Sequence, residues 1–183
     1  MFQPNCLACQ INSGAKAIPG GVVSENDHWL ADHCIGPFGV GSFVVKTKVH
    51  RESLWELTAD EANSLGPFLR IVSEAMVKAL GAERVYLSMW VDKPPYHVHM
   101  VLQPRYPGRS EAFGAKGLWL QMIRSLRGKP DPRKAEESAK KVRDCLGGNT
   151  DSAGGRNTSK ITLIGAGSVV FTRPANYRAR AFL

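Results

Sequence analysis

The sequence predicts a single mixed α and β domain, on three observations. Short alternating segments recur between residues 22 and 48 and again between 84 and 105. A long amphipathic segment with its own start and stop signals lies between them. At 183 residues the chain is long enough for one domain with a substantial core.

Taken in order, residues 12–21 are rich in Gly, Ser and Pro and read as a loop. Residues 22–24 and 28–33 read as short strands joined at Glu25-Asn26-Asp27, and residues 43–48 alternate like a third. Between them, Gly36, Gly39 and Gly41 mark a connection where backbone can approach a ligand closely. Thr58-Ala59-Asp60-Glu61 is a capping box, in which hydroxyl and carboxylate each satisfy the other residue's amide. The helix it starts carries Leu65, Leu69, Val72, Met76 and Leu80 on one stripe. Gly81 stops it, and Pro67 inside predicts a kink.

Residues 84–91 form a strong apolar strand, and Asp92-Lys93-Pro94-Pro95 turns the chain into Tyr96-His97-Val98-His99-Met100-Val101-Leu102-Gln103-Pro104-Arg105. Two antiparallel strands joined by that turn are expected. Further on, residues 113–126 are a candidate helix, and Asp131-Pro132 opens another that runs to about Leu146.

The chemistry concentrates in the second strand of that pair. A strand has a side-chain period of two, so His97, His99, Val101, Gln103 and Arg105 share one face. Two imidazoles on one face point to a metal ligand, a nucleophile, or one of each. Cys6-Leu7-Ala8-Cys9 is either half of a zinc site or a redox pair. A redox pair opens a helix after a buried strand; no strand precedes Cys6, so zinc is favoured.

No apolar run approaches the roughly 20 residues that span a bilayer. The first residues lack the basic flank and apolar stretch of a secretion signal. A cytoplasmic protein with reduced cysteines is expected. The formal net charge is +8. Half of that excess falls after residue 146, on Arg156, Lys160, Arg173, Arg178 and Arg180 against Asp151 alone. The charge of the main domain therefore does not require nucleic acid as a partner.

These motifs together resemble the histidine-triad superfamily, which includes nucleotide-binding proteins, dinucleoside-polyphosphate hydrolases and galactose-phosphate uridylyltransferase. The resemblance runs from about Asn5 to Arg105, and more loosely to Leu146. It rests on Cys6-x-x-Cys9, on Phe43-Val-Val-Lys-Thr-Lys-Val-His50 before the capping box, and on His97-Val-His99-Met-Val101-Leu-Gln-Pro104-Arg105. It implies an α+β fold, an antiparallel sheet with one long helix packed across it. It implies a structural zinc held by Cys6, Cys9, His50 and His97, a closed tetrahedral set. It also implies attack by His99 on the α-phosphorus of a nucleotide, giving a covalent nucleotidyl-histidine that water or another acceptor resolves. The activity would be hydrolysis of a dinucleoside polyphosphate or nucleoside phosphoramidate, or nucleotidyl transfer. The two-fold homodimer common in the family is the expected assembly.

Three positions depart from the family pattern. Val101 replaces the third histidine and offers no polar atom, leaving Gln103, about 6–7 Å further along the strand, as the nearest polar group on that face. Cys34, followed by Ile35, stands where many members carry an acid for the ribose hydroxyls; Asp32 or His33 are substitutes. Pro94-Pro95 occupies the turn that often holds a small polar residue, which leaves Lys93 to meet a phosphate. Arg105, backbone donors and the turn residue Asn26 complete the expected ligand contacts. These departures keep open a second reading, a nucleotide-binding or scaffold protein that kept the fold and lost the chemistry.

Residues 147–183 read as a separate unit, a Gly- and Ser-rich linker followed by Lys160-Ile-Thr-Leu-Ile-Gly165-Ala-Gly167-Ser-Val-Val-Phe171. That run resembles the first strand and glycine turn of a Rossmann fold, as at the start of the NAD-dependent glycosidases. Val170 stands at the third glycine position, and too few residues follow to complete a βαβ unit, so no NAD is expected.

Overall fold

The computed structural model describes residues 2–91, 93–108 and 128–152. The candidate helix at 113–126 and the Rossmann-like run at 160–171 lie outside them.

The order of elements is α1 (Leu7–Asn12), β1 (Val22–Glu25), β2 (Trp29–His33), β3 (Phe43–Thr47), α2 (Ala59–Leu80), β4 (Arg84–Ser88), β5 (His99–Arg105) and α3 (Pro132–Ser152). A single 3-10 turn, Leu54–Glu56, precedes α2. The five strands form one sheet in the order β1-β2-β3-β5-β4, and every neighbouring pair is antiparallel. This is the expected α+β class.

Alternation along the strands decides which side of the sheet is core. Trp29, Ala31, Phe43, Val45, Met100 and Leu102 turn one way and pack with Phe68, Val72, Ala75 and Met76 of α2. The stripe on α2 is rotated slightly from the expected one. Phe68 and Ala75 are buried, while Leu65, Leu69 and Leu80 pack at the margin. Trp29 also ties β2 to the first turn of α2, its Nε1–H donating to the Glu61 carbonyl at 2.9 Å. Helix α3 adds Ala139 and Val142 to the same core. It approaches the loop before β1 so closely that a Cβ on Gly20, at φ +76, would lie 2.4 Å from the Ala139 Cβ. Only glycine fits there.

Both helix signals work as read. Thr58 Oγ1 accepts from the Glu61 amide at 3.2 Å, Glu61 Oε2 accepts from the Thr58 amide at 2.7 Å, and Gly81 closes the helix at φ +68. Pro67 lies inside α2.

Three details differ from expectation. Helix α1 occupies the segment around Cys9, with Cys6 as its N-cap. Strand β4 ends at Ser88 and β5 starts at His99, so ten residues join them rather than a tight turn. Pro94 and Pro95 have no amide hydrogens to extend a ladder there. Finally, α3 continues to Ser152, into the stretch read as linker. No proline interrupts residues 133–152, and glycine weakens a helix by only about 1 kcal/mol without forbidding it. No helix among the described residues is long and apolar enough to cross a membrane.

Glu61 is buried, and burial pushes its carboxyl up, but the Thr58 amide and the Arg51 guanidinium outweigh that and hold it below the ordinary 4.5. A depressed carboxylate stabilises the fold above its ordinary range, and that contribution is lost as pH falls through the native value. Glu61→Gln should therefore cost about 1–2 kcal/mol at pH 7 in urea denaturation. The gap between variant and native chain should close below pH 4.5; a gap that stays constant from pH 7 to pH 3 would contradict this.

Candidate functional site

The face of the sheet opposite the core carries two adjoining features, a thiol–imidazole cluster and a cavity.

Cys6 and Cys9 come from the start of α1, His50 follows β3, and His97 lies two residues before β5. Their ligand atoms all lie within 4.8 Å of one another. Cys6 Sγ and Cys9 Sγ are 3.3 and 3.7 Å from His97 Nδ1. Cys9 Sγ is 3.3 Å from His50 Nδ1, and the two Nδ1 atoms are 3.2 Å apart. A tetrahedral zinc with Zn–N of about 2.05 Å and Zn–S of about 2.3 Å needs edges near 3.3 Å between nitrogens and about 3.6 Å between sulfur and nitrogen. The observed edges match that tetrahedron.

The hydrogen bonds around the cluster fix the tautomer the metal needs. His97 Nε2–H donates to the Thr47 carbonyl at 2.9 Å, which leaves Nδ1 with a bare lone pair aimed into the cluster. Burial, aided by the Lys46 ammonium, pushes His97 down to about 4, so the ring is neutral near pH 7. His50 Nε2 lies 3.5 Å from Glu52 Oε1 on the outer side. Burial pushes the Cys9 thiol up, and the adjacent Cys6 adds to that. A divalent cation reverses this preference, because it binds the thiolate. The Cys-x-x-Cys pair does open a helix, as a redox pair would, but both thiols face imidazoles. The residues fit zinc, and the four ligands are those expected.

His99 begins β5 and is half-buried. Its Nδ1–H donates to the His97 carbonyl at 2.7 Å. That bond places a proton on Nδ1 and leaves Nε2 as the nitrogen able to act as nucleophile. The ring lines a cavity of about 260 Å³, near the lower end of small-molecule sites, roughly 300–1,000 Å³. Apolar walls come from Ile11, Ile35, Phe38 and Trp90. Cys34, Lys93 and Val101 also border it. Val101 is buried at 2% exposure, so the third triad position presents only methyl groups.

Other expected contacts are taken up elsewhere. Gln103 is buried beside β4, opposite Tyr86, and does not line the cavity. Arg105 pairs with Glu83 at 3.0 Å and donates to the Tyr86 hydroxyl at 3.1 Å, which clamps β4 to β5 away from His99. Asn26 Oδ1 accepts the amides of His28 and Trp29, an Asx turn that shapes the β1–β2 hairpin. Sharing a strand face with His99 did not bring the first two to the cavity, which reaches along β5 as far as Val101 and not to Gln103 or Arg105. Cys34 is in place, but burial pushes its thiol up to about 11, so it carries no charge for ribose hydroxyls. His33 is wholly engaged, with Nδ1–H donating to the Cys34 carbonyl and Nε2 accepting the Gly41 amide, both at 2.9 Å.

Two polar residues of the cavity carry more weight than the sequence suggested. Asp32 and Lys46 border it and are 2% exposed, paired carboxylate to ammonium. The sequence points to Asp32 only as a substitute for the ribose acid and does not point to Lys46. The available signal was its position, since a lysine inside an alternating apolar strand must face either solvent or a partner.

No family model and no curated protein matches the chain. Solved structures do. A zinc-bound histidine triad family protein from Mycobacterium smegmatis superposes with a TM-score of 0.61 at 22% identity, covering 81% of this chain and 97% of that one. A hypothetical histidine triad nucleotide-binding protein from Sulfolobus tokodaii gives 0.65 at 19%, covering 82% and 97%. A member of the HIT family from Bacillus subtilis is 28% identical over 61% of this chain and 79% of its own, with a TM-score of 0.51. A uridylyltransferase matches at 0.55 and 22%, covering 78% of this chain and 45% of that one. The five-stranded antiparallel sheet with the long helix across it is thus shared with these structures, and the fold of this chain is the histidine-triad fold.

Proposed function

We propose that this protein binds a nucleotide or nucleotide-like phosphate ester and transfers its nucleotidyl group to water through His99. The observation that carries the reading is the His99 hydrogen bond to the His97 carbonyl, which leaves Nε2 free on a ring that lines a cavity. In the first step Nε2 forms a bond to the α-phosphorus as the bond to the leaving oxygen or nitrogen breaks, and the leaving group takes up a proton from solvent. In the second, water forms the P–O bond as the N–P bond breaks, and its proton returns to solvent. Splitting one displacement in two lowers the barrier to each. Throughout, the Nδ1 proton stays on the imidazole, held by the His97 carbonyl.

Zinc, when bound, supplies a structural cross-link rather than reaction chemistry, because four protein ligands leave no open position. It would fix α1 and the β3–α2 connection to the residue whose carbonyl orients His99. The cytoplasm, where thiols stay reduced, suits such a site, and a homodimer is part of this reading.

A second reading has its own support. Val101 offers no donor to a phosphoryl oxygen, and Cys34 offers no carboxylate to a ribose. A nucleotide-binding or scaffold protein of the same fold fits both.

Two measurements separate these outcomes. The native chain should hydrolyse fluorogenic adenosine phosphoramidate or a diadenosine polyphosphate, and His99→Ala should lose roughly 10³-fold or more in kcat with no covalent adduct by mass spectrometry. If neither substrate turns over while nucleotide still raises Tm, the binding reading stands. For the metal, elemental analysis should give close to one zinc per chain, lost in Cys9→Ser. At free zinc about 100-fold above Kd, linkage contributes about 2.7 kcal/mol, so chelation should lower Tm by roughly 5–11 °C. A native chain that holds no zinc after reconstitution would refute the site.

A further inference from the structure

The cavity contains an ion pair that neither the zinc cluster nor His99 uses. Asp32 on β2 and Lys46 on β3 are both 2% exposed, yet both border the cavity among apolar groups. Lys46 stands directly opposite His99 in the β3–β5 register. Val44, two residues before Lys46, stands opposite both Val101 and Asp32. The pair therefore occupies the same patch of sheet as the nucleophile and the missing third histidine. Directly opposite residues have Cβ atoms about 4.5–5.5 Å apart, which puts the cavity end of His99 within the span of a lysine side chain.

Among the described residues lining the cavity, Lys46 and Lys93 are the cationic side chains, and Lys93 is exposed. An ammonium buried among methyl groups needs a counterion to stay charged, and Asp32 supplies it. A ligand phosphate is a stronger partner, since its several acceptor oxygens carry more charge than one carboxylate.

Resting on the nucleotide reading, we propose that Lys46 is the phosphoryl-binding cation of this site. Asp32 is the internal anion that keeps Lys46 charged and poised until a phosphate ester displaces it. Lys46 does from β3 what a third histidine on β5 would do, so the valine at 101 is compatible with phosphate binding.

The test compares adenosine 5′-monophosphate with adenosine by titration calorimetry, because their affinity ratio isolates the phosphate contact. The native chain should prefer the monophosphate by about tenfold or more. Asp32→Leu with Lys46→Met removes both charges together and avoids a stranded one; the ratio of the two affinities should fall to near one. Asp32→Asn with Lys46→Gln replaces both charges by amides that can still bond one another, so its ratio should also fall towards one. A purely structural pair would weaken binding of both compounds alike and leave the ratio at its native value. Should the Asp32→Leu, Lys46→Met chain not fold, a native ratio in the amide variant overturns the assignment by itself. A native preference that survives the double variant also overturns it and leaves nucleotide binding intact. If the native chain binds neither compound, the nucleotide reading falls first and takes the Lys46 assignment with it.

Discussion

His97 is the residue on which this architecture turns. Its side chain closes the Cys₂His₂ cluster, and its main-chain carbonyl holds the Nδ1 proton of His99. One residue thus joins the N-terminal helix, the connection after β3 and strand β5. The Thr47 carbonyl completes the arrangement by taking the Nε2 proton of His97, which forces Nδ1 toward the thiols. Both imidazoles are given their tautomers by backbone carbonyls. Backbone is the more rigid source, because it cannot change rotamer.

The sheet divides the work between its faces. One face buries Trp29, Phe43, Val45 and Leu102 against α2, and hydrophobic burial there supplies most of the driving force for the fold. The other face is left for chemistry, and it accepts costs a core would not. It keeps an ion pair, two thiols and the neutral imidazole of His97 away from water. Such groups are tolerated where they have partners: Asp32 and Lys46 have each other, and the two thiols face imidazoles.

What was legible followed from how local each signal is. The capping box and Gly81 set the limits of α2 because each acts within one turn of chain. The alternation of residues 97–105 showed which side chains share a face, because strand geometry imposes it. The four cluster ligands were legible for another reason: Cys-x-x-Cys, His50 and His97 match a family pattern, which carries the information that three distant segments meet. Arg105 and Gln103 mark where such reasoning stops. They do share the face of His99, but the neighbouring segment gives Arg105 a carboxylate, Glu83, and a hydroxyl, Tyr86, of its own. A face is a property of one strand, whereas a partner is a property of its neighbours.

The sequence by itself determined the elements, their faces and the chemical types gathered on them, because backbone sterics and side-chain periodicity act over a few residues. Only the tertiary structure decided what each polar group meets. It brought Lys46 opposite His99 and beside Asp32, settled His33 between two backbone groups, and set the two Nδ1 atoms 3.2 Å apart. Strand order and register fix those distances, and both come from packing the whole sheet against α2 rather than from any one segment.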